Sequence, residues 1–171
     1  MRAKFETECG DFEISLALDA APLTAGYFQD LISIGAFNGA SFFRIVSQKN
    51  ASLRSDNPIE VIQGGLKDTD RQPIAAIAHE TTSQTGLVHK KWTLSTARFG
   101  PGETYGSFFV CMRDEPALDF GGKRHPDGLG FSAFGSVVSG FEVLDAIFSR
   151  QEPDEFMKNA VGIKSATIVG G

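Results

Sequence analysis

Alternating apolar and polar residues mark the start of the chain. The segments 4–7 and 12–16 follow this alternation, which is typical of half-buried β-strands. Between them, the residues 9–11 (Cys-Gly-Asp) supply a turn. The sequence therefore predicts an opening β-hairpin with one face buried and the other in contact with solvent.

Six further segments are rich in β-branched and aromatic residues, and glycines or polar loops separate most of them. They cover residues 41–46, 60–63, 92–97, 108–112, 131–138 and 163–169. Together with the hairpin, they predict eight short strands.

Two segments instead place apolar residues at helical spacing. The first begins at Pro22, which suits the first turn of a helix, and ends at Gly35, a C-terminal cap candidate. The second follows Ser139, a candidate N-cap, and has Phe141 and Leu144 on one face. The stretch 74–85 is mixed in character, and we predict no element there.

Many short strands with only two helices favour a mainly β architecture. A doubly wound α/β sheet needs a helix between most strands, which this chain does not offer. We expect a closed antiparallel eight-stranded β-barrel, because closure removes the exposed sheet edges, with the two α-helices capping its ends. We expect residues 1–171 to form a single domain, with extended loops near 47–59 and 119–130.

Composition narrows the range of functions. The 171 residues are 42% hydrophobic and 22% charged, an ordinary balance for one globular domain. The net charge of −5 argues against a nucleic-acid partner, and no apolar run is long enough to span a membrane. The charged N-terminus lacks the apolar run of a signal peptide, and Cys9 and Cys111 form no metal-binding pattern, so we expect a cytoplasmic protein with free thiols.

The sequence contains no established cofactor or metal signature. The chain has no phosphate-binding loop, dinucleotide fingerprint, zinc-protease motif or nucleophile elbow. Its three histidines are scattered, so we expect neither a metal nor a cofactor. Nothing in the sequence requires more than a monomer.

One arginine is unusual for its setting. Arg44 lies inside the apolar strand segment 41–46. Such a residue either points outward on a solvated face or occupies a partly buried site with partners. Periodicity alone leaves both readings open.

Several segments, in order, resemble the cyclophilins, a β-barrel family of peptidyl-prolyl cis/trans isomerases. The resemblance covers most of the chain and is to a divergent, bacterial-like member. It rests on Ala-Pro-Leu-Thr at 21–24, Phe-Asn-Gly-Ala-Ser-Phe-Phe-Arg-Ile-Val at 37–46, Val-Ile-Gln-Gly-Gly at 61–65, Leu-Ser-Thr-Ala-Arg-Phe-Gly-Pro at 94–101, Gly-Ser-Phe-Phe-Val at 106–110 and Phe-Gly at 134–135.

The resemblance implies a prolyl isomerase that acts on proline-containing peptides or unfolded chains without a cofactor. It implies that Arg44 is the catalytic arginine, that Gln63 binds the substrate amide and that Phe109 is the floor of the proline pocket. It also implies that further positions bind substrate: Val61, Ala97, Arg98, Ser107, Leu118 and Phe131.

Departures from the family pattern keep other functions open. Arg98, Ser107 and Phe131 stand where the family usually has asparagine, glutamine and histidine, and Glu60 and Ala117 replace aromatic residues. One alternative is therefore a catalytically weak module that only binds proline-containing peptides. Another is a small-molecule carrier that uses the barrel interior.

Overall fold

Eight antiparallel strands close into a barrel in the computed structural model, which describes residues 1–51 and 58–170. The strands follow one another around the barrel in the order β1-β2-β7-β5-β6-β4-β3-β8. They are β1 (Arg2–Thr7), β2 (Gly10–Leu16), β3 (Ser41–Val46), β4 (Val61–Gly65), β5 (Thr93–Arg98), β6 (Thr104–Cys111), β7 (Ala133–Ser139) and β8 (Phe156–Val169). The predicted closed eight-stranded barrel is confirmed.

Within the described residues, three α-helices accompany the barrel: α1 (Pro22–Ser33), α2 (Thr82–Thr85) and α3 (Phe141–Phe148). The first and third are the two predicted helices, and α1 begins at Pro22 as expected. The short α2 lies in the stretch for which no element was predicted. A capping box stabilises it, because the side chains of Thr81 and Gln84 each bond the other's backbone N–H.

The start of α3 differs from the prediction. Its N-cap is Gly140 rather than Ser139. Gly140 adopts a left-handed conformation (φ +79°), and a Cβ there would lie 2.5 Å from the carbonyl oxygen of Asp11. Only glycine fits this close approach of the helix to β2.

Two strands are longer than predicted. β6 begins at Thr104 and β8 at Phe156, well before the expected starts at 108 and 163. In β8 the extra length lets one strand pair with β3 at its beginning and with β1 at its end. The added residues 158–160 are exposed and do not alternate in hydrophobicity, so the sequence pattern does not indicate them.

Phenylalanine rings fill the barrel interior. Phe12 on β2 contacts Phe42 on β3 with ring centroids 6.1 Å apart, and Phe42 contacts Phe108 on β6 at 5.9 Å. Neither pair is on neighbouring strands, so these contacts cross the interior. An interior packed in this way is a core, which argues against the carrier hypothesis.

A β-bulge in β3 determines where Arg44 points. The register between β3 and β4 shifts between Phe42 and Arg44, so Phe43 is the extra residue. Phe42 and Ile45 consequently both belong to the main core, although three positions separate them. Arg44 then lies on the outer wall, opposite Gln63 of β4.

The structure describes the two expected loops to different extents. Of the loop near 47–59, residues 52–57 lie outside the described residues. The loop near 119–130 is described throughout and contains no helix or strand.

Within residues 1–51 and 58–170, no helix combines the length and apolar character needed to cross a bilayer.

Candidate active site

Three of the predicted site residues form one row across neighbouring strands. Arg44 on β3 is paired with Gln63 on β4, and Gln63 is paired with Phe109 on β6. Paired residues on neighbouring strands lie on the same face of a sheet, within side-chain contact. The barrel thus brings a guanidinium, an amide and an aromatic ring together on its outer wall.

A second, smaller apolar cluster lies beneath this row, outside the barrel core. It comprises Val46, Ile59, Val61, Phe109, Cys111 and Leu118, with Ala51 and Phe131 packed against it. The alternation along β4 and β6 produces it, because Ile62, Phe108 and Val110 face the core while their neighbours face outward. The cluster gives the outer wall an apolar floor.

This floor is part of a pocket of about 130 Å³. A pocket of this size is smaller than a typical small-molecule site and suits one side chain of a larger substrate. Eight of the nine predicted site residues line it: Arg44, Val61, Gln63, Ala97, Arg98, Phe109, Leu118 and Phe131. The ninth, Ser107, lies fully buried behind Gln63.

Hydrogen bonds fix the amide of Gln63 in one orientation. Its Oε1 accepts a hydrogen bond from Nη1 of Arg44 at 3.2 Å. Its Nε2 donates to Oγ of Ser107 at 2.9 Å and to the hydroxyl of Tyr105 at 3.2 Å. Both amide N–H bonds are therefore occupied, and Oε1 keeps one lone pair for a further donor.

Aromatic contacts set the shape of the pocket. The rings of Phe109 and Phe131 meet edge to face, with centroids 5.6 Å apart. Phe109 in turn stacks on the imidazole of His89 at 6.1 Å. His89 thus supports Phe109 from below, and the ring of Phe131 stands nearly at a right angle to that of Phe109. Phe109 forms the floor of the pocket and Phe131 forms its wall.

A buried chain of hydrogen bonds holds His89 in place. One ring nitrogen lies 2.7 Å from Oδ1 of Asp119, and the other lies 2.8 Å from Oγ of Ser95. Burial raises the pKa of Asp119, but the hydrogen bonds from His89 outweigh it, so the pKa lies below its usual range. Ser95 is fully buried beneath the floor, so this Ser-His-Asp arrangement supports Phe109 and is inaccessible to a substrate.

Every N–H group of the Arg98 guanidinium donates a hydrogen bond. Its guanidinium forms two hydrogen bonds with the carboxylate of Asp127 (2.9 and 3.0 Å), two with the carbonyl of Gly130 and one with the carbonyl of Phe99. These bonds use its five N–H groups. The guanidinium also lies 5.0 Å from the ring centroid of Phe131, so Arg98 fixes the pocket wall.

Four residues at or near the pocket were not predicted. Ile59, Tyr105 and Arg124 line it, and Glu155 binds Arg44 from outside. Tyr105 could have been found, because it alternates with Ser107 and Phe109 along β6. Arg124 and Glu155 lie in irregular segments where no period indicates a direction.

Three arginines line the pocket, Arg44, Arg98 and Arg124. Burial lowers the pKa of Arg124, and the positive charge of Arg44 lowers it further, while the carboxylates of Glu155 and Glu115 oppose this shift. By contrast, no group of three or more metal-ligating side chains occurs in the described parts of the chain.

A family model decides which family this fold and pocket belong to. The model for cyclophilin type peptidyl-prolyl cis-trans isomerases matches residues 2–168. The chain belongs to this family. This cyclophilin is 29% identical over 147 residues to peptidyl-prolyl cis-trans isomerase A of Dickeya dadantii, covering 85% of this chain and 70% of the relative.

Other similar proteins agree with the assignment. The peptidyl-prolyl cis-trans isomerase cyp18 of Streptomyces antibioticus is 29% identical to this cyclophilin over 175 residues. The match covers 98% of each chain. A cyclophilin type isomerase of Cryptosporidium parvum, solved in the presence of the dipeptide Ala-Pro, superposes with a TM-score of 0.78 over the whole of both chains at 19% identity. At that identity the superposition supports the fold.

Proposed function

We propose that this cyclophilin accelerates the cis/trans rotation of X-Pro peptide bonds at the pocket formed by Arg44, Gln63 and Phe109. The observation that carries the proposal is the meeting of a guanidinium, an oriented amide and an apolar floor in one pocket of about 130 Å³. This combination suits the grip and rotation of a single proline.

Rotation about a peptide bond is slow because resonance gives the C–N bond double-bond character. The barrier is about 18–20 kcal/mol. In the twisted transition state this resonance is lost, and the lone pair of the prolyl nitrogen becomes available to a hydrogen-bond donor. A donor placed beside that nitrogen stabilises the transition state more than either planar ground state, which is the condition for catalysis.

Arg44 is the residue that we assign to this role. An arginine stays protonated at all physiological pH values, and its planar guanidinium can be held rigidly. Three of its five N–H groups are bound within the described residues, one to Gln63 and two to Glu155. The remaining two can donate to a substrate.

Gln63 is suited to hold the substrate backbone. Since its N–H groups are donated to Ser107 and Tyr105, we assign the contact to its Oε1, which can accept a backbone N–H of the peptide. Ser107 then acts through Gln63 rather than by touching the substrate.

The apolar part of the pocket is suited to the pyrrolidine ring. Phe109 provides the floor, Phe131 the wall, and Val61, Ala97 and Leu118 complete the lining. Burial of the ring against these side chains favours binding by about 25 cal/mol per Å² of apolar surface. Arg98 contributes by fixing Phe131, because its own donors are occupied.

The setting of this activity is also part of the proposal. We take the substrates to be proline-containing peptides and unfolded chains, as the Ala-Pro dipeptide used with the Cryptosporidium relative suggests. We further propose one domain over 1–171, acting as a monomer in the cytoplasm without nucleic acid. The net charge of −5 and the free thiols of Cys9 and Cys111 support this setting.

A short peptide with one X-Pro bond tests the proposal. Uncatalysed exchange takes tens to hundreds of seconds, and magnetisation exchange between the cis and trans signals measures it directly. Catalytic amounts of the protein should speed the exchange well above the rate in buffer. Rates equal to buffer would contradict the isomerase function.

The same spectra separate catalysis from binding alone. Peptide signals that shift on addition of protein, without faster exchange, would support the weak binding module instead. The control for contaminating isomerase is Arg44→Ala purified by the same procedure, because a contaminant would be present in both preparations.

A further inference from the structure

Arg44 has a carboxylate partner that the pocket does not contain. Oε2 of Glu155 accepts hydrogen bonds from Nε of Arg44 at 3.1 Å and from Nη2 at 2.6 Å. The side chains are only 26% and 15% exposed, so solvent screens this ion pair less than it would a surface pair. Glu155 thus occupies the edge of the guanidinium formed by Nε and Nη2.

Phe156, the next residue, packs against the face of the Arg44 guanidinium. The guanidinium carbon of Arg44 lies 5.1 Å from the ring centroid of Phe156. Phe156 is 54% exposed, so burial in a core does not explain its position. Its ring stacks on Phe43 at 6.5 Å, the bulge residue that directs Arg44 outward. Glu155 and Phe156 therefore restrain Arg44 from two directions.

The segment that carries Glu155 is anchored without its carboxylate. The backbone carbonyl of Glu155 accepts from the N–H of Ile45 at 2.9 Å. The side chain of Asn50 donates to the carbonyl of Glu152 at 2.9 Å, and the carboxylate of Glu152 accepts from the backbone N–H of Lys158. Removal of the charge at Glu155 should therefore leave this backbone in place.

We propose that Glu155 is a positioning residue for Arg44. It holds the guanidinium in the orientation that leaves two N–H groups for the substrate. This inference rests on the proposed function of Arg44. A donor contributes most to the transition state when it is already oriented and need not reorganise during the reaction.

Two opposing effects determine whether removal of Glu155 slows or speeds the reaction. A free arginine side chain samples many rotamers, and fixing it has an entropic cost, which Glu155 offsets before substrate arrives. The carboxylate also reduces the positive potential beside the prolyl nitrogen. We infer that orientation outweighs charge, so removal of Glu155 slows the reaction.

The substitution Glu155→Gln tests the sign. It keeps the shape of the side chain and removes its charge. We expect kcat to fall on the order of tenfold, within the hundredfold that a misplaced group can cost, with KM nearly unchanged. The matched control is Asp154→Asn, which removes the same charge from an exposed neighbour and should leave kcat as in wild type. An unchanged or increased kcat in Glu155→Gln would overturn the proposal.

A double-mutant cycle tests whether Glu155 acts through Arg44. In the Arg44→Ala background, Glu155→Gln should have no further effect on kcat, because the group that it positions is gone. An equal loss in both backgrounds would mean that Glu155 acts elsewhere, and would overturn the proposal.

A spectroscopic measurement separates this inference from the proposed function. The Nε–H signal of Arg44, assigned by its loss in Arg44→Ala, reports the hydrogen bond to Glu155 directly. In Glu155→Gln this signal should shift and exchange faster with water, whether or not the protein is active. An unmoved signal would overturn the positioning role alone, whereas an inactive wild-type protein would overturn the proposed function alone.

Discussion

Two hydrogen bonds, of 2.9 and 3.0 Å, join the guanidinium of Arg98 to the two carboxylate oxygens of Asp127. The side chain of Arg98 is fully buried, and that of Asp127 is 26% exposed. Arg98 also holds the carbonyl of Gly130 and the ring of Phe131. The loop 119–130 is therefore fastened to the end of β5, and its fastening point lies directly behind the pocket wall.

Asp127→Asn should destabilise the protein near neutral pH by roughly 1.5–3 kcal/mol, the range for hydrogen bonds to a charged partner. The hydrogen bonds from Arg98 lower the pKa of Asp127 to about 2, against about 3.9 in an unfolded chain. Because the folded-state pKa is depressed, the stabilisation is complete above about pH 4 and is lost as the pH falls towards about 2.

Urea unfolding of wild type and Asp127→Asn between pH 7 and pH 2 measures this effect. The difference between their free energies of unfolding should shrink across the interval from about pH 4 to about pH 2. Asp19→Asn, a change at an exposed carboxylate, serves as the control. A difference that stays constant down to pH 2 would show that the ion pair is not the source of the effect.

Ser107→Ala should weaken substrate binding by releasing the amide of Gln63. Ser107 is fully buried. The substitution removes the hydroxyl that accepts a hydrogen bond from Nε2 of Gln63 and donates one to the carbonyl of Gly64. We expect a loss of stability of about 1–3 kcal/mol and an increase in KM. Tyr105→Phe removes the longer, less buried bond to the same nitrogen and should have a smaller effect on both. The reverse order in steady-state kinetics and unfolding would contradict this account of Gln63.

The local elements of this fold could be predicted from the sequence. The hairpin β1–β2 follows from alternation, and α1 follows from Pro22 and a helical period, because both depend on neighbouring residues. The start of β8 at Phe156 depends instead on a distant partner, since Phe156 pairs with Arg44 of β3. The helix α2 has a local capping box, but its four residues are too few to show a helical period. Residues 158–160 fall between the positions of β8 that pair with β3, at Phe156 and at Val161, and the N–H groups of Lys158 and Asn159 donate to the carboxylate of Glu152.

The site divides in the same way. Arg44, Gln63 and Phe109 were assigned by resemblance to a family, and the alternation of residues alone left the direction of Arg44 open. The bulge at Phe43 is the physical reason, since one extra residue reverses the side on which every later side chain lies. Asp127 and Glu155 pair with arginines 29 and 111 positions away, and no local pattern can indicate such partners.

Gly64→Ala should destabilise the barrel, whereas Gly26→Ala should stabilise it. A Cβ at Gly64 would lie 2.5 Å from Cδ1 of the fully buried Phe42, while a Cβ at Gly26 in α1 has no atom within 4 Å. Overpacking of this kind costs about 1–3 kcal/mol, and replacing glycine by alanine inside a helix gains roughly 0.5–1 kcal/mol. Thermal unfolding of both variants measures the pair, and equal midpoints would contradict the packing described for β3 and β4.

The isomerase activity of Arg44→Ala tests the central claim most directly. The control is Arg71→Ala, the same change at an arginine whose side chain is 90% exposed and lies outside the pocket. With the folded state verified by circular dichroism, we expect kcat/KM of Arg44→Ala to fall by about 10²- to 10³-fold, as when one donor to a transition state is removed, and that of Arg71→Ala to match wild type. A folded Arg44→Ala protein that keeps wild-type activity would contradict the assignment of Arg44 as the group that drives rotation.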